Sequence, residues 1–222
     1  MFPLANLEDF GLGGSHPRGT SFWLLEDPLR GVLGITNEGM VFPQCPSLTG
    51  AELSAACDLI RNRAVLGVIG ETTRVRKFIK VAGWQDGTMA LNDDEPAFSL
   101  NLNNLLLPQK DGVSLGPLAG VERDSHRALI HRGQPVAMTG FNSTLPDVVQ
   151  IGGVFTPREL RERGYARIAV ALHLKEARDA GVNRAVLFAA SNAAARAYIA
   201  NGFMPAGSVS LVLFNDQTES AL

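Results

Sequence analysis

The sequence predicts an α/β (α+β) chain: a mixed, mostly antiparallel sheet flanked by helices, arranged as two tandem halves. Three observations predict it. Strand-like runs alternate with helix-period stretches in both parts of the chain. Two continuous apolar runs, Val65-Leu66-Gly67-Val68-Ile69-Gly70 and Ala185-Val186-Leu187-Phe188 after Arg184, read as buried strands. Finally, residues 150–173, QIGGVFTPRELRERGYARIAVALH, pass from a β-like run through a short charged turn straight into a helix-period stretch.

The elements follow in order. Residues 1–20, rich in Gly and polar groups, are expected to be a loosely held lead-in. Strand-like runs come next at Ser21–Leu25, Gly31–Thr36 and Met40–Gln44, punctuated by Asp27-Pro28 and Asn37-Glu38-Gly39. Thr49 reads as the N-cap of a helix over 51–62, with Leu53, Ala56, Cys57 and Ile60 at helical spacing. The strand at 65–70 leads into a helix over 72–82 that places Val75, Phe78, Ile79 and Ala82 on one face. Met89–Leu91 and Phe98–Leu105 read as strands flanking an acidic turn, Asn92-Asp93-Asp94-Glu95-Pro96. Pro108-Gln109-Lys110-Asp111-Gly112 is the expected boundary, which divides the chain into 1–108 and 109–222. Beyond it come strands at Val113–Leu118, Pro135–Phe141 and Val148–Phe155, with a short helix around 122–130. Helix 164–180, strand 184–188, helix 192–201 and a closing strand 208–214 complete the order. Strands then helix, strand, helix in the first part echoes the second, and 222 residues are enough for two small domains.

Composition narrows the class of function. Apolar residues at 45% and charged residues at 19% are those of a soluble globular protein. A formal net charge of −2 gives no reason to expect nucleic-acid or membrane-surface binding. Two cysteines, Cys45 and Cys57, make neither a disulfide framework nor a metal site, and no metal is expected. No apolar run reaches the ~18 residues of a membrane span. The start, MFPLANLEDFGLGG, lacks the basic and apolar regions of a signal peptide, so a cytoplasmic location is the expectation.

The charged turn has the order needed to hold a pyrophosphate. Turn N–H groups and the free N–H groups of a helix start converge on one point, where the helix dipole adds positive potential. Gly164 and Ala166 keep the approach open, and Arg161 and Arg163 can add charge at the rim. Arg167, one turn position further, is expected to face solvent. Pro157 removes a ladder donor, which suits a strand end.

Arg161-x-x-Gly164-x-Ala166, between a strand and a helix, resembles the acyl-CoA pyrophosphate loop of the GCN5-related N-acetyltransferases (GNATs). Downstream, Ser191-Asn192 through Tyr198 to Gly202-Phe203 is similar to that family's next helix. The resemblance covers roughly residues 132–214. It implies the acyl-CoA N-acyltransferase fold, with the first half a degenerate copy that lacks the loop and is not expected to bind CoA. The implied activity is transfer of an acetyl group from acetyl-CoA, or another acyl-CoA, to a primary amine by direct attack in a ternary complex.

The resemblance also implies site roles. The main chain of Val154, Phe155 and Thr156, on a strand that splays from its neighbour, would pair with the pantetheine arm, and Gly152-Gly153 is compatible with a bulge there. The loop Arg161, Glu162, Arg163, Gly164, Tyr165 and Ala166 would hold the phosphates. Tyr198 would protonate the leaving thiolate and the Val154 N–H would meet the developing oxyanion. Asn192 would either bond the CoA arm or simply cap its helix.

No Glu lies between Val148 and Phe155 to serve as a base. Glu122, Asp124, His126 and His131 lie within reach in sequence, but each is more often a surface or capping residue, and His173 reads as structural. The acceptor is either a small amine or a peptide or protein, and the assembly a monomer or homodimer. The alternative is a non-catalytic acyl-CoA sensor or interaction module.

Overall fold

The computed structural model describes residues 2–25, 28–118 and 125–218. Five α-helices and eleven strands are found among them: α1 (Phe2–Phe10), β1 (Thr20–Leu25), β2 (Gly31–Thr36), β3 (Met40–Gln44), α2 (Gly50–Asp58), β4 (Val65–Glu71), α3 (Thr72–Val81), β5 (Met89–Asn101), β6 (Val113–Pro117), β7 (His126–His131), β8 (Gln134–Thr144), β9 (Val148–Phe155), α4 (Tyr165–Asp179), β10 (Arg184–Phe188), α5 (Asn192–Ile199) and β11 (Met204–Thr218). The strands form a mixed, mostly antiparallel sheet flanked by helices.

The chain forms two compact units, one of Phe2–Glu95 together with the residues from Ser208 onward, the other of Pro96–Gly207. The division falls within β5, upstream of the expected 108/109 boundary. The Pro108–Gly112 turn instead joins two parts of the second unit.

In the first unit the strand order is β1-β2-β3-β4-β11-β5. The first three strands form an antiparallel meander, and α2 carries the chain over to β4, parallel to β3. Helix α2 starts where Thr49 closes a capping box with Glu52: the Glu52 N–H donates to Thr49 Oγ1 and the Thr49 N–H to Glu52 Oε2. Val75, Phe78 and Ile79 of α3 are buried at helical spacing, and Phe78, Trp84 and Phe214 meet edge to face. Cys45 and Cys57 are free thiols of this core, and burial pushes Cys57 up to about 12, so it stays protonated at neutral pH.

The second unit repeats the scheme with order β5-β10-β9-β8-β7-β6. Strands β7, β8 and β9 form an antiparallel meander and α4 crosses to β10, parallel to β9. The β7–β8 hairpin turns on Arg132 (φ 52°) and Gly133 (φ 79°), the two positive φ angles of a type I′ turn. Helix α4 ends in a Schellman motif: Gly181 at φ 98° donates to the Arg178 carbonyl and Val182 to that of Ala177. The core gathers Val149, Ile151, Val170, Leu174, Leu187, Tyr198 and Phe203.

The last strand of each half is traded. The strand that follows α3, β5, lies antiparallel to β10 from Ala97 to Asn101, and the strand that follows α5, β11, lies antiparallel to β4. Each unit is thus completed by a strand that the other half's sequence order supplies.

Three expected elements differ. Residues 2–10 form α1, with Ala5 buried, instead of a loose lead-in. The acidic segment 92–96 is no turn but the middle of β5, because Arg76 binds Asn92 and Asp94 and the Ser210 hydroxyl donates to Asp94. The stretch around 122–130 is strand β7 from His126, where Arg127 and Leu129 alternate with their neighbours across the pleat; residues 122–124 lie outside the described residues. No helix among the described residues is long and apolar enough to cross a membrane.

Candidate active site

The site is built where β9 parts from β10. Their parallel ladder runs Arg184↔Val148, Ala185↔Val149 and Val186↔Gln150, and stops there, although β9 goes on to Phe155 and β10 to Phe188. The edge of β9 from Ile151 onward therefore has no ladder partner on the β10 side. On its other edge β9 carries an extra residue against β8. Met138 pairs with Phe155 and Gly140 with Gly152, so three steps on β9 oppose two on β8. Gly153, at φ 59°, takes the left-handed turn of this bulge and re-aims the main chain at Val154. Val154 is half-buried against the core that holds Tyr198, Phe155 is 52% exposed, and the Thr156 hydroxyl is buried without a partner.

After Pro157 a 3₁₀ turn (Arg158–Leu160) leads to the loop. Glu162 (φ 63°) and Gly164 (φ 76°) are both left-handed, a rare conformation for Glu, and such turns point main-chain N–H groups to one side. Gly164 is the N-cap of α4 and offers no side-chain cap, so the first N–H groups of the helix are left to an outside acceptor. A Cβ at Gly164 would meet nothing within 4 Å, so the space in front of the helix start is open.

The loop's own side chains brace it. Arg161 Nε donates to the Thr156 carbonyl (3.1 Å) and Arg163 Nη2 to that of Glu159 (3.1 Å). Both residues are exposed. Tyr165 is buried, its ring under Lys110 Nζ and its hydroxyl 2.9 Å from His131 Nδ1, which leaves only its main chain to face the loop. This pairing accounts for His131. Ala166 is half-buried beside it. Arg167 does not face solvent as expected: Nε binds Asn201 Oδ1 (3.1 Å) and Nη2 the Ala200 carbonyl (2.9 Å), which ties the first turn of α4 to the end of α5. Helical spacing alone gives no hint of that partner.

Tyr198 lies on α5, 8% exposed, edge to face with Phe203 and in the same core as Ile151 and Leu187, the residues next along β9 and β10 after the ladder stops. Asn192 is exposed and is not the helix cap; Ser191 caps α5 by accepting from the Ala194 N–H. His173 is buried and stacked on Phe141 at 3.8 Å, as a structural residue would be. The sequence reading missed how the face of β7–β9 turned away from α4 is furnished. There the His126 ring and the Asn142 side chain lie over Gly140, Gly152 and Gly153. Three glycines at these places are the available signal, but only strand register brings them together. No cluster of three potential metal ligands occurs among the described residues.

Comparison with known proteins gives the family and the fold. The model of the Acetyltransferase (GNAT) family matches residues 93–203. Among solved structures, a GCN5-related N-acetyltransferase from Kribbella flavida superposes with a TM-score of 0.65 at 18% identity, over 84% of this chain and 87% of that one. A GNAT-family acetyltransferase from Colwellia psychrerythraea gives 0.54 at 14% identity, over 88% and 85%. A tandem GNAT protein from the clavulanic acid biosynthesis pathway gives 0.56 at 12% identity, over 98% and 88%. At these identities the likeness concerns the fold. A search of curated proteins gave no match.

Proposed function

Because the chain belongs to the GNAT acetyltransferase family, we propose that its second unit is an acetyl-CoA-dependent N-acetyltransferase acting on a primary amine by direct attack in a ternary complex. The observation that carries this is the ladder that stops at Val186↔Gln150, followed by the bulge at Gly153 and by a helix start with no side-chain cap.

The residues fit the cofactor. The open space before Gly164 and the uncapped start of α4 suit a pyrophosphate, with the main chain of Arg161–Ala166 as donors and the two loop arginines at the rim. The free edge of β9 at Val154, Phe155 and Thr156 suits an amide-bearing pantetheine arm, with the exposed Asn192 at the start of α5 as a further donor. Acetyl-CoA supplies an acyl carbon activated by a thiolate leaving group.

This chain's residues do the rest. The Val154 N–H, re-aimed by the bulge, stabilises the negative charge that develops on the acyl oxygen. The Tyr198 hydroxyl gives the leaving sulfur its proton. The buried surroundings of Tyr198 exclude water from that transfer. The acceptor is an amine on a small molecule or on a peptide or protein.

Thermal unfolding with and without acetyl-CoA tests the reading. A ligand at about 100 times its dissociation constant adds about 2.7 kcal/mol to the native state. A rise in wild type that disappears in Gly164→Glu, with thiol release when amines are added, supports it. A rise without thiol release from any amine would favour a non-catalytic acyl-CoA sensor, and no rise would remove the acyl-CoA site.

A further inference from the structure

His126 begins β7 on the face turned away from α4. Its neighbour Arg127 reaches α4 through Glu176 (Nε to Oε2, 3.0 Å), and Leu129 packs with Ile168 of the same helix, so by strand alternation the His126 side chain points to the opposite face. The two strands beside it carry no side chain where the ring lies. His126 pairs with Gly140 and Gly140 with Gly152, so three adjacent strands present His, Gly and Gly in one row. A Cβ at Gly140 would collide with Cδ2, Nε2 and Cε1 of the imidazole, and one at Gly153 would come within 2.7 Å of Nε2. The ring therefore lies across β8 and ends at the bulge, one residue before Val154.

Its other nitrogen is held. Nδ1 is 2.9 Å from Ser125 Oγ; in the tautomer whose Nδ1–H donates to that hydroxyl, Nε2 carries the lone pair. Nearby charge is sparse. Arg127 turns to Glu176 and donates through Nη1 to the His126 carbonyl (3.1 Å). Around the ring, β8 and β9 offer Gly140, Asn142, Gly152 and Gly153, and on the β6 side Leu118 donates its N–H to the His126 carbonyl, so among the described residues these neighbours are uncharged.

We propose that His126 is the general base of the acyl transfer, with Ser125 as its positioning residue. The assignment rests on the acetyltransferase reading above. His126 Nε2 takes a proton from the acceptor's ammonium group. The freed amine nitrogen forms a bond to the acyl carbon, the carbon–sulfur bond breaks, and the electron pair leaves on sulfur, which takes the Tyr198 proton. The amine's second proton and that on His126 pass to solvent and to Tyr198, so the net products are the amide, the free thiol and one proton. A histidine placed across two glycine positions supplies the function for which β9 itself has no Glu.

Kinetics and NMR on the full chain test this. His126→Asn should lower kcat/KM by about 10²–10⁴-fold and remove the acid limb of its pH profile, while the acetyl-CoA rise in melting temperature stays. Imidazole should restore part of the rate in His126→Ala. Gly140→Ala, which displaces the ring without removing it, should lower kcat in the same way. With ¹⁵N-labelled histidine, acetyl-CoA should move the His126 ring signals, identified by their loss in His126→Asn. A variant that keeps both the wild-type rate and its acid limb overturns the assignment, as do His126 signals that stay put at an acetyl-CoA concentration that raises the melting temperature. A wild type whose melting temperature acetyl-CoA leaves unchanged overturns instead the acyl-CoA reading beneath it.

Discussion

Arg167 and Asn201 bind each other in both directions. The guanidinium Nε donates to Asn201 Oδ1 at 3.1 Å, and Asn201 Nδ2 donates to the Arg167 carbonyl at 3.0 Å. Asn201 is fully buried, so neither bond is exchanged for water at low cost. The clamp holds the uncapped start of α4 against the end of the helix that carries Tyr198. Asn201→Ala leaves the Arg167 Nε–H without its acceptor, and should cost about 1–3 kcal/mol of stability in urea unfolding. If acyl-CoA binds at the α4 start, its affinity should fall as well, which isothermal titration would show. Unchanged values of both would mean that packing and the Arg167–Ala200 bond hold the two helices without Asn201.

Gly164 separates backbone strain from charge. It is left-handed, yet a Cβ there meets no atom, so Gly164→Ala should lose about 1–2 kcal/mol through conformation alone and still respond to acetyl-CoA. Gly164→Glu carries the same conformational cost and adds a carboxylate where the helix N–H groups converge, so its response should vanish. Melting curves of the two variants with and without acetyl-CoA compare the effects directly.

Tyr198→Phe keeps the ring that packs on Phe203 and removes only the hydroxyl. We expect thiol release to fall by about 10²–10⁴-fold with acetyl-CoA binding unchanged. An unaffected turnover rate would strip Tyr198 of the acid role and leave it a core aromatic.

The first unit presents the counter-case to the α4 start. Helix α2 occupies the same place in its strand–helix–strand order, but the Glu52 carboxylate already accepts the Thr49 N–H and is gripped by Arg30. An incoming phosphate would meet a negative group there. These hydrogen bonds, that from Arg30 foremost, lower the Glu52 carboxyl to about 2 from its ordinary 4.5. The folded value lies below the unfolded one, so the stabilisation is whole above about pH 4.5 and fades as pH falls toward about 2. Glu52→Gln should flatten the acid limb of a stability–pH curve in that window and leave the alkaline side parallel to wild type. Urea midpoints between pH 2 and 7 would measure it.

Much of the second unit was legible because its signals are local. Strands β9 and β10 have the bounds read from their apolar runs, and α4 starts one residue past the glycine that the turn chemistry marks. The first unit's Thr49 cap was equally readable, since a capping box spans four residues. What escaped depends on partners remote in sequence. Asp94 looked like a turn residue because Ser210, which holds it in β5, lies 116 residues away. Arg167 looked like a solvated charge because Asn201 is 34 residues downstream. His126 could not be told from a surface histidine until the register placed it beside Gly140. Helix α1 escaped for a different reason: it has no acidic first turn and no basic last turn to mark its ends.

The traded strands impose an order on biosynthesis. When a ribosome has finished β4 at Glu71, the edge that β11 will cover has no occupant, and 137 residues must still be translated before Ser208 is in place. At roughly 5–20 residues per second that is a wait of about 7–27 s. Throughout it the nascent first unit shows an open strand edge, the kind of surface that chaperones bind and that neighbouring nascent chains can pair with. The second unit's matching edge, on β10, meets no such delay, because β5 has left the ribosome long before β10 is made.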